Sequence, residues 1–307
     1  MKYQFSTLIE LQDLLQAEKL SFDTYLLQRE AFLSDKSLAS VTEELDRRIA
    51  VTRQALIRGL SEPQHSRSGL TQGAAYAFQH AQNKLIAEPL FNRTIAYALA
   101  INEVNACGGK IVAFPTAGSS GIVPGVIWAY WESRVLGSQN FASIPAPLGP
   151  PYDLRLRSAF LMASLVGMVI AQGATLAGAE GGCQAECGSA GAMAAASLAF
   201  LEGAPFEICI DAAALSLKNS LGLACDPVAG LVEVPCVKRN ALLAVQALAS
   251  VELALAGIRS VIPFEEVVQA MKQIGDSMPA SIKESAEGGL AATPTGLHYK
   301  KLIMGGE

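Results

Sequence analysis

Six cysteines, at positions 107, 183, 187, 209, 225 and 236, are the side chains of this 307-residue chain with the widest chemical reach. Three of them sit in connectors rich in Gly and Pro. Cys183 lies in GAEGGCQAECGSAG after Gly181 and Gly182, and Cys225 lies in NSLGLACDPVAG before Asp226 and Pro227. Cys236 lies in VEVPCVKRN, where Pro235 suits the first turn of a helix. Such backbones bend sharply around a bulky inorganic group, and their amides donate to sulfide or thiolate. A helix N-terminus adds positive potential that lowers a thiol pKa and favours the ligating thiolate. The intervals, 42 residues from 183 to 225 and 11 from 225 to 236, are not a local Cys-x-x-Cys signature. Spacing alone therefore supports three buried structural cysteines as well as it supports a thiolate site.

Other candidates surround these connectors. Lys218 and Asn219 precede SLGLACDPV, close in sequence to Cys225. A lysine there serves as a general base if its pKa is depressed, or binds a substrate carboxylate. A solvent-facing lysine at a helix end fits the same text. The loop PTAGSSG, residues 115–121, offers the hydroxyls of Thr116, Ser119 and Ser120. Its glycines expose amides able to hold a carboxylate, although a plain helix-entry turn reads the same way. Arg239 follows Cys236 by three residues and pairs either with a substrate or with Asp226. His65, His80 and His298 fall in no motif.

The elements that must position these residues read as helices. Thr7 with Glu10, and Ser40 with Glu43, are capping-box signatures. Val41, Leu45, Ile49 and Leu56 then recur on one face, and Gly59 is the expected stop. Helical text resumes from 74 to about 106, interrupted near Pro89. One short β-like run covers 111–114, and LGSQNFASIPAPLGPPYD is the clearest internal boundary. Beyond it, helices are expected at about 154–178, 188–202, 206–218 and 237–257, since Ala and Leu favour helix and alternating strand patterns are almost absent. The expected fold is mainly α. A compact helical domain over 61–307, with the Gly/Pro-rich connectors, carries an N-terminal helical extension over 1–60.

Composition narrows the function. Hydrophobic residues make up 51% and charged residues 17%, which excludes a disordered chain. With 23 basic against 28 acidic residues the net charge is −5, so no nucleic-acid partner is expected. The run 158–179 carries no charge and is long enough to span a membrane. Its many Ala, Gly and Ser residues, with Gln172, fit a helix buried on all sides instead. No signal-peptide pattern opens the chain, so the expectation is a cytoplasmic protein, outside the membrane and without a disulfide framework.

Four strings in order, NEVNACGGKIVAFPTAGSSGIVPG, GGCQAECGSAGAMAAA, LKNSLGLACDPVAGLVEVPCVKRNA and GGLAATPTG, carry a more specific message. They closely resemble the α chain of bacterial iron–sulfur L-serine dehydratases, the type whose α and β parts are separate polypeptides. The resemblance covers nearly the whole chain. It implies an oxygen-sensitive 4Fe–4S cluster held by Cys183, Cys225 and Cys236, with one iron left open as a Lewis acid. It also implies L-serine as substrate, pyruvate and ammonia as products, and a separate β chain as partner. The resemblance further places Thr116, Ser119 and Ser120 in a substrate-proximal loop, with Lys218 and Asn219 beside the Cys225 connector. The fused form of the family has Glu-His-Asn where this chain has Lys218, Asn219 and Ser220. Its β part carries a Ser-Ser-His-Thr motif absent here, so a histidine is expected from the partner. Cys187 stands where the family is usually apolar, and, four residues after Cys183, it is an alternative ligand as well as a core residue. The cysteine tail that ends the fused form has no counterpart in GGLAATPTGLHYKKLIMGGE. Rival readings are a cluster-dependent cysteine desulfidase, a pyridoxal-phosphate dehydratase using Lys218 and the AGSSG loop, and a helical scaffold or membrane subunit.

Overall fold

The computed structural model describes residues 3, 5, 7–81 and 85–305. Helix α1 (Leu8–Glu18) opens on Thr7, whose hydroxyl accepts the Glu10 amide at 3.1 Å, as the capping pattern predicts. Helices α2 (Phe22–Ser34) and α3 (Leu38–Ser61) follow. The second expected cap is displaced by one turn. Ser37, not Ser40, holds that position, and its hydroxyl accepts the Ser40 amide at 3.1 Å. Ser40 has the capping-box Glu43 and Ser37 does not, but the chain is already helical at Leu38, so Ser37 is the residue left outside the helix to cap it.

Gly59 does not stop α3, which continues to Ser61. Its bare Cα is where α3 meets α5 (Pro89–Ala106), and a Cβ there would collide with the Ala100 carbonyl. The short helix α4 (Ala74–Gln79) lies between them in sequence. Its Ala74 and Ala75 amides donate to the Glu103 carboxylate at 2.6 and 3.0 Å. The β-like run 111–114 forms no strand, and Phe114 is bonded only within the following loop, to Thr116 and Ser119, among the described residues. Among the described residues there is no strand, only two isolated bridges, His65 with Gln72 and Cys225 with Lys283. The fold is mainly α, as expected.

The C-terminal two-thirds supplies α6 (Ile122–Tyr130), α7 (Leu154–Gly173), α8 (Gly178–Gly181) and α9 (Ser189–Leu201). It continues with α10 (Phe206–Lys218), α11 (Cys236–Leu255), α12 (Phe264–Ser277) and α13 (Pro294–Met304). Helix α9 is the centre: every residue but Phe200 is buried, and α6, α7, α10 and α11 pack around it. Its small side chains allow close approach, and a Cβ on Gly191 would stand 3.0 Å from Ser216 Oγ of α10. Helix α7 is long and apolar enough to cross a membrane by length and composition, but 67% of its most apolar window is buried inside the protein. It packs along α9 and ends at Gly173, short of the expected 178.

The N-terminal helices share that core, since Leu8, Leu11, Tyr25, Leu26, Ile49 and Leu56 belong to the same apolar cluster as α9. The boundary segment 136–153 is tied to them rather than separating two bodies. Arg53, buried against the Trp128 ring at 4.6 Å, pairs with Glu132 and donates to the Ala146 carbonyl at 2.7 Å. Gln79 likewise donates to the Ala142 carbonyl at 2.5 Å.

Candidate active site

The three cysteine connectors meet at the N-terminal ends of α9 and α11. Gly182, at φ +75°, turns the chain into Cys183, and a Cβ there would stand 2.9 Å from the Leu223 carbonyl. The Gln184 amide donates to that carbonyl at 3.1 Å, and the Gln184 side-chain oxygen accepts the Gly222 amide at 2.9 Å. The Cys183 connector is thereby bonded to the one that carries Cys225. Residues Gln184–Gly188 form a π-helical turn ahead of α9, a local insertion that often marks a functional site. Cys225 is clamped from the C-terminal side: its amide donates to the Ile282 carbonyl at 2.9 Å and its carbonyl accepts the Glu284 amide at 2.7 Å. Cys236 is the first residue of α11, preceded by Pro235 as the sequence suggests.

Cys183, Cys187, Cys225 and Cys236 are all buried. A hydrogen bond from Cys187 holds the Cys183 thiol below its ordinary range against the opposing effect of burial, and the Arg239 guanidinium beside it acts in the same direction. The same pairing and complete burial raise Cys187. Burial pushes Cys236 up to about 12, with Cys183 adding to it, and pushes Cys225 higher still. Arg239 donates to the Ala224 carbonyl at 2.8 Å and pairs with Asp226 at 3.5 Å, so it ties the Cys225 connector to α11. Asp226 in turn accepts the Leu290 amide at 2.8 Å.

Among the described residues no three His, Cys, Asp or Glu side chains gather closely enough to ligate a single ion. A cluster of several irons is larger and takes its thiolates from more widely spaced points. Buried soft thiols gathered around one partly buried guanidinium are a donor set that fits it.

The loop of residues 115–121 lies against this group. Asn102 donates to the Gly118 carbonyl at 3.1 Å and Asn105 to the Ala117 carbonyl at 3.1 Å. Asn240 of α11 donates to the Gly118 and Cys236 carbonyls at 2.7 and 2.9 Å, and accepts the Gly121 amide at 3.0 Å. Ser119 and Ser120 are fully buried and face inward. Ser119 donates to the Phe114 carbonyl at 2.8 Å, and Ser120 accepts from Asn102 at 3.4 Å. Thr116 is partly exposed and donates to Glu186 Oε1 at 2.8 Å. Glu186 Oε2 accepts the Cys225 thiol at 3.5 Å. Burial raises the Glu186 carboxyl, with the Thr116 hydrogen bond opposing.

Glu186, Asn102 and Asn240 were not singled out in the sequence. Glu186 has one local signal, being the only charge between Glu180 and Glu202. Lys218 and Asn219 are not joined to this group by any bond among the described residues. The Lys218 ammonium donates to the Ser260 carbonyl at 2.7 Å, and the exposed Asn219 folds back on the Leu215 carbonyl at 2.7 Å. Position at the end of α10 decides this, because the side chain follows its helix toward the loop before α12. His65, His80 and His298 are exposed.

Known proteins share this arrangement of sequence. Residues 15–291 match the model of the family described as serine dehydratase alpha chain. The chain is 41% identical over 304 residues to the probable L-serine dehydratase, alpha chain, of Bacillus subtilis (strain 168), covering 98% of this chain and 96% of that protein. It is 38% identical to the L-serine dehydratase, alpha chain, of Peptoniphilus asaccharolyticus, covering 96% and 97% respectively. L-serine dehydratase 2 of Escherichia coli (strain K12) is 35% identical over 94% of this chain, which spans 62% of that longer protein. With a family match over most of its length and relatives aligned nearly end to end, this chain belongs to the serine dehydratase alpha chain family.

Proposed function

We propose that this chain is the catalytic α subunit of an L-serine dehydratase, a lyase converting L-serine to pyruvate and ammonia in the cytoplasm. In this reading Cys183, Cys225 and Cys236 hold a 4Fe–4S cluster, and a separate β chain completes the enzyme. The observation that carries it is the burial of these thiols around Arg239, beside the loop of residues 115–121. When bound, the cluster supplies an open iron that acts as a Lewis acid on the departing hydroxyl.

The chain's own residues do the rest of the positioning. Among the described residues the amides of 117–119 donate to no protein acceptor, and they take the serine carboxylate as a backbone nest. Thr116 stands at the edge of that loop as a hydroxyl partner. Arg239 keeps positive charge beside Cys183 and so favours the ligating thiolate. Serine loses its α-proton to a base and its hydroxyl as water. The aminoacrylate that remains tautomerises and hydrolyses without further protein chemistry. None of the three histidines is bonded to the cysteine group or to the loop of residues 115–121 among the described residues, and the base is assigned to the β chain.

Iron and sulfide content after strictly anaerobic purification tests the reading, together with pyruvate formation from L-serine with and without a β chain. Close to four irons per chain are expected, lost on separate Cys183→Ser, Cys225→Ser and Cys236→Ser changes but kept in Cys107→Ser and Cys209→Ser. An iron-free preparation with full serine turnover would falsify it. Cluster loss in Cys187→Ser with retention in Cys183→Ser reassigns the ligand in that connector.

A further inference from the structure

We infer that the groove between residues 69–74, residues 228–234 and α13 is the docking surface for the β chain, which enters it with an apolar segment flanked by carboxylates. The inference rests on the dehydratase reading above and deepens it by placing the partner.

Helix α13 is well begun but poorly covered. Thr293 caps it, its hydroxyl accepting the Gly296 amide at 3.1 Å, and Pro294 suits the first turn. The helix rests on the turns Val228–Gly230 and Gly289–Ala292, where a Cβ on Gly296 would collide with the Leu290 carbonyl. Of its eleven residues only Gly296 is buried. Leu290, Leu297, Tyr299, Leu302 and Met304 stand 40–65% exposed. A helix this short is marginal in water without a packed face, so its apolar side chains call for a covering surface.

The groove alongside α13 is continuous with the candidate active site. Val228 and Val234 line it, together with Leu70, Leu290 and Tyr299. Val232, between those two valines, packs on the loop of residues 115–121: a Cβ on Gly118 would stand 3.1 Å from its Cγ1. The buried Glu233 fastens the neighbouring loop to the same segment, accepting the Ser68 and Thr71 hydroxyls at 2.6 and 2.7 Å. A chain seated in the groove therefore stands beside the loop of residues 115–121, separated from it by one segment of backbone. That is where the enzyme needs a partner, because its base comes from outside this chain.

Charge selects the partner's chemistry. The chain as a whole carries −5, yet α13 brings Lys300 and Lys301 with no acidic residue, and the exposed Lys238 lines the groove. Carboxylates around an apolar segment complement this rim and steer the encounter. A second copy of this chain fits poorly, since a two-fold interface centred on α13 would bring Lys300 and Lys301 close to the same lysines of the other copy.

The test uses the anaerobic, cluster-loaded chain and the β chain, with binding followed by sedimentation and the contact mapped by amide exchange. Protection is expected in residues 69–74 and 289–304. Leu302→Glu is expected to weaken β binding about tenfold or more, as at the centre of an interface. Lys300→Glu combined with Lys301→Glu is expected to weaken it similarly at low salt and less at high salt. Val261→Glu, at an 87% exposed valine on the loop before α12, is expected to leave affinity unchanged. Native iron content and circular dichroism in each variant separate lost docking from misfolding. In a preparation that turns over serine, the absence of a complex, wild-type affinity in both α13 variants, or protection confined to other residues overturns the docking surface. Self-association of the isolated chain, or its binding to anionic phospholipid vesicles, overturns it too if Leu302→Glu abolishes that binding and leaves β binding intact. A wild-type pair without iron and without serine turnover overturns the dehydratase reading instead.

Discussion

Asn240 offers the sharpest measure of how the site is assembled. Its side chain joins three backbone groups from two segments: the Gly118 carbonyl, the Cys236 carbonyl and the Gly121 amide. On Asn240→Ala, Gly118 keeps a second donor in Asn102 at 3.1 Å, whereas the buried Gly121 amide has no other acceptor among the described residues. An orphaned buried donor and a small cavity together cost about 2–4 kcal/mol. For a chain of this length that lowers the thermal midpoint by about 3–6 °C. Thermal unfolding of the cluster-free chain, followed by circular dichroism, reads the effect without interference from iron. Asn240→Asp separates hydrogen bonding from volume. It keeps the acceptor for Gly121 but turns an oxygen toward two carbonyl oxygens, so it should be at least as destabilising. A midpoint within 1 °C of wild type for Asn240→Ala, or full stability of Asn240→Asp, would refute the reasoning.

Three further outcomes follow from the packing. Gly178→Ala places a Cβ against Glu186 and 3.1 Å from Cys225 Sγ, and should lower iron content at near-native helicity, measured by iron analysis and circular dichroism. Lys218→Met removes the ammonium that holds the Ser260 carbonyl. It should cost about 1 kcal/mol and speed amide exchange in residues 258–263, with iron content unchanged. Burial pushes Asp23 up, but hydrogen bonds from Ser158, Ser21 and the Thr24 amide outweigh it and hold the carboxyl below its ordinary value. Its contribution is therefore present above the unfolded-state pKa and lost as pH falls through the lowered folded-state value. Ser158→Ala, which removes the 2.6 Å bond, should narrow the stability gap between neutral and acidic pH in urea titrations.

Local chemistry made much of this protein legible before any fold was considered. The Thr7 cap, the interruption near Pro89 and the extent of α10 each depend on a few adjacent residues and appear where the text places them. The Cys225 stretch is a non-helical connector as expected, whereas the Cys183 stretch is helical on both sides of Gly182, in α8 and the π-helical turn, and Cys236 opens α11. Packing decided what no local signal could. Gly59 reads as a helix stop because glycine commonly ends helices, yet here its bare Cα admits the backbone of α5. Lys218 neighbours the Cys225 connector in sequence, but the direction of α10 carries its ammonium to Ser260. Thr116 and Glu186 stand 70 residues apart along the chain and bond at 2.8 Å. Asn240 reaches a carbonyl 122 residues away, at Gly118. Such pairs have no periodicity to read, because their meeting depends on how α5, α9 and α11 pack together, which the whole buried core determines rather than any single segment.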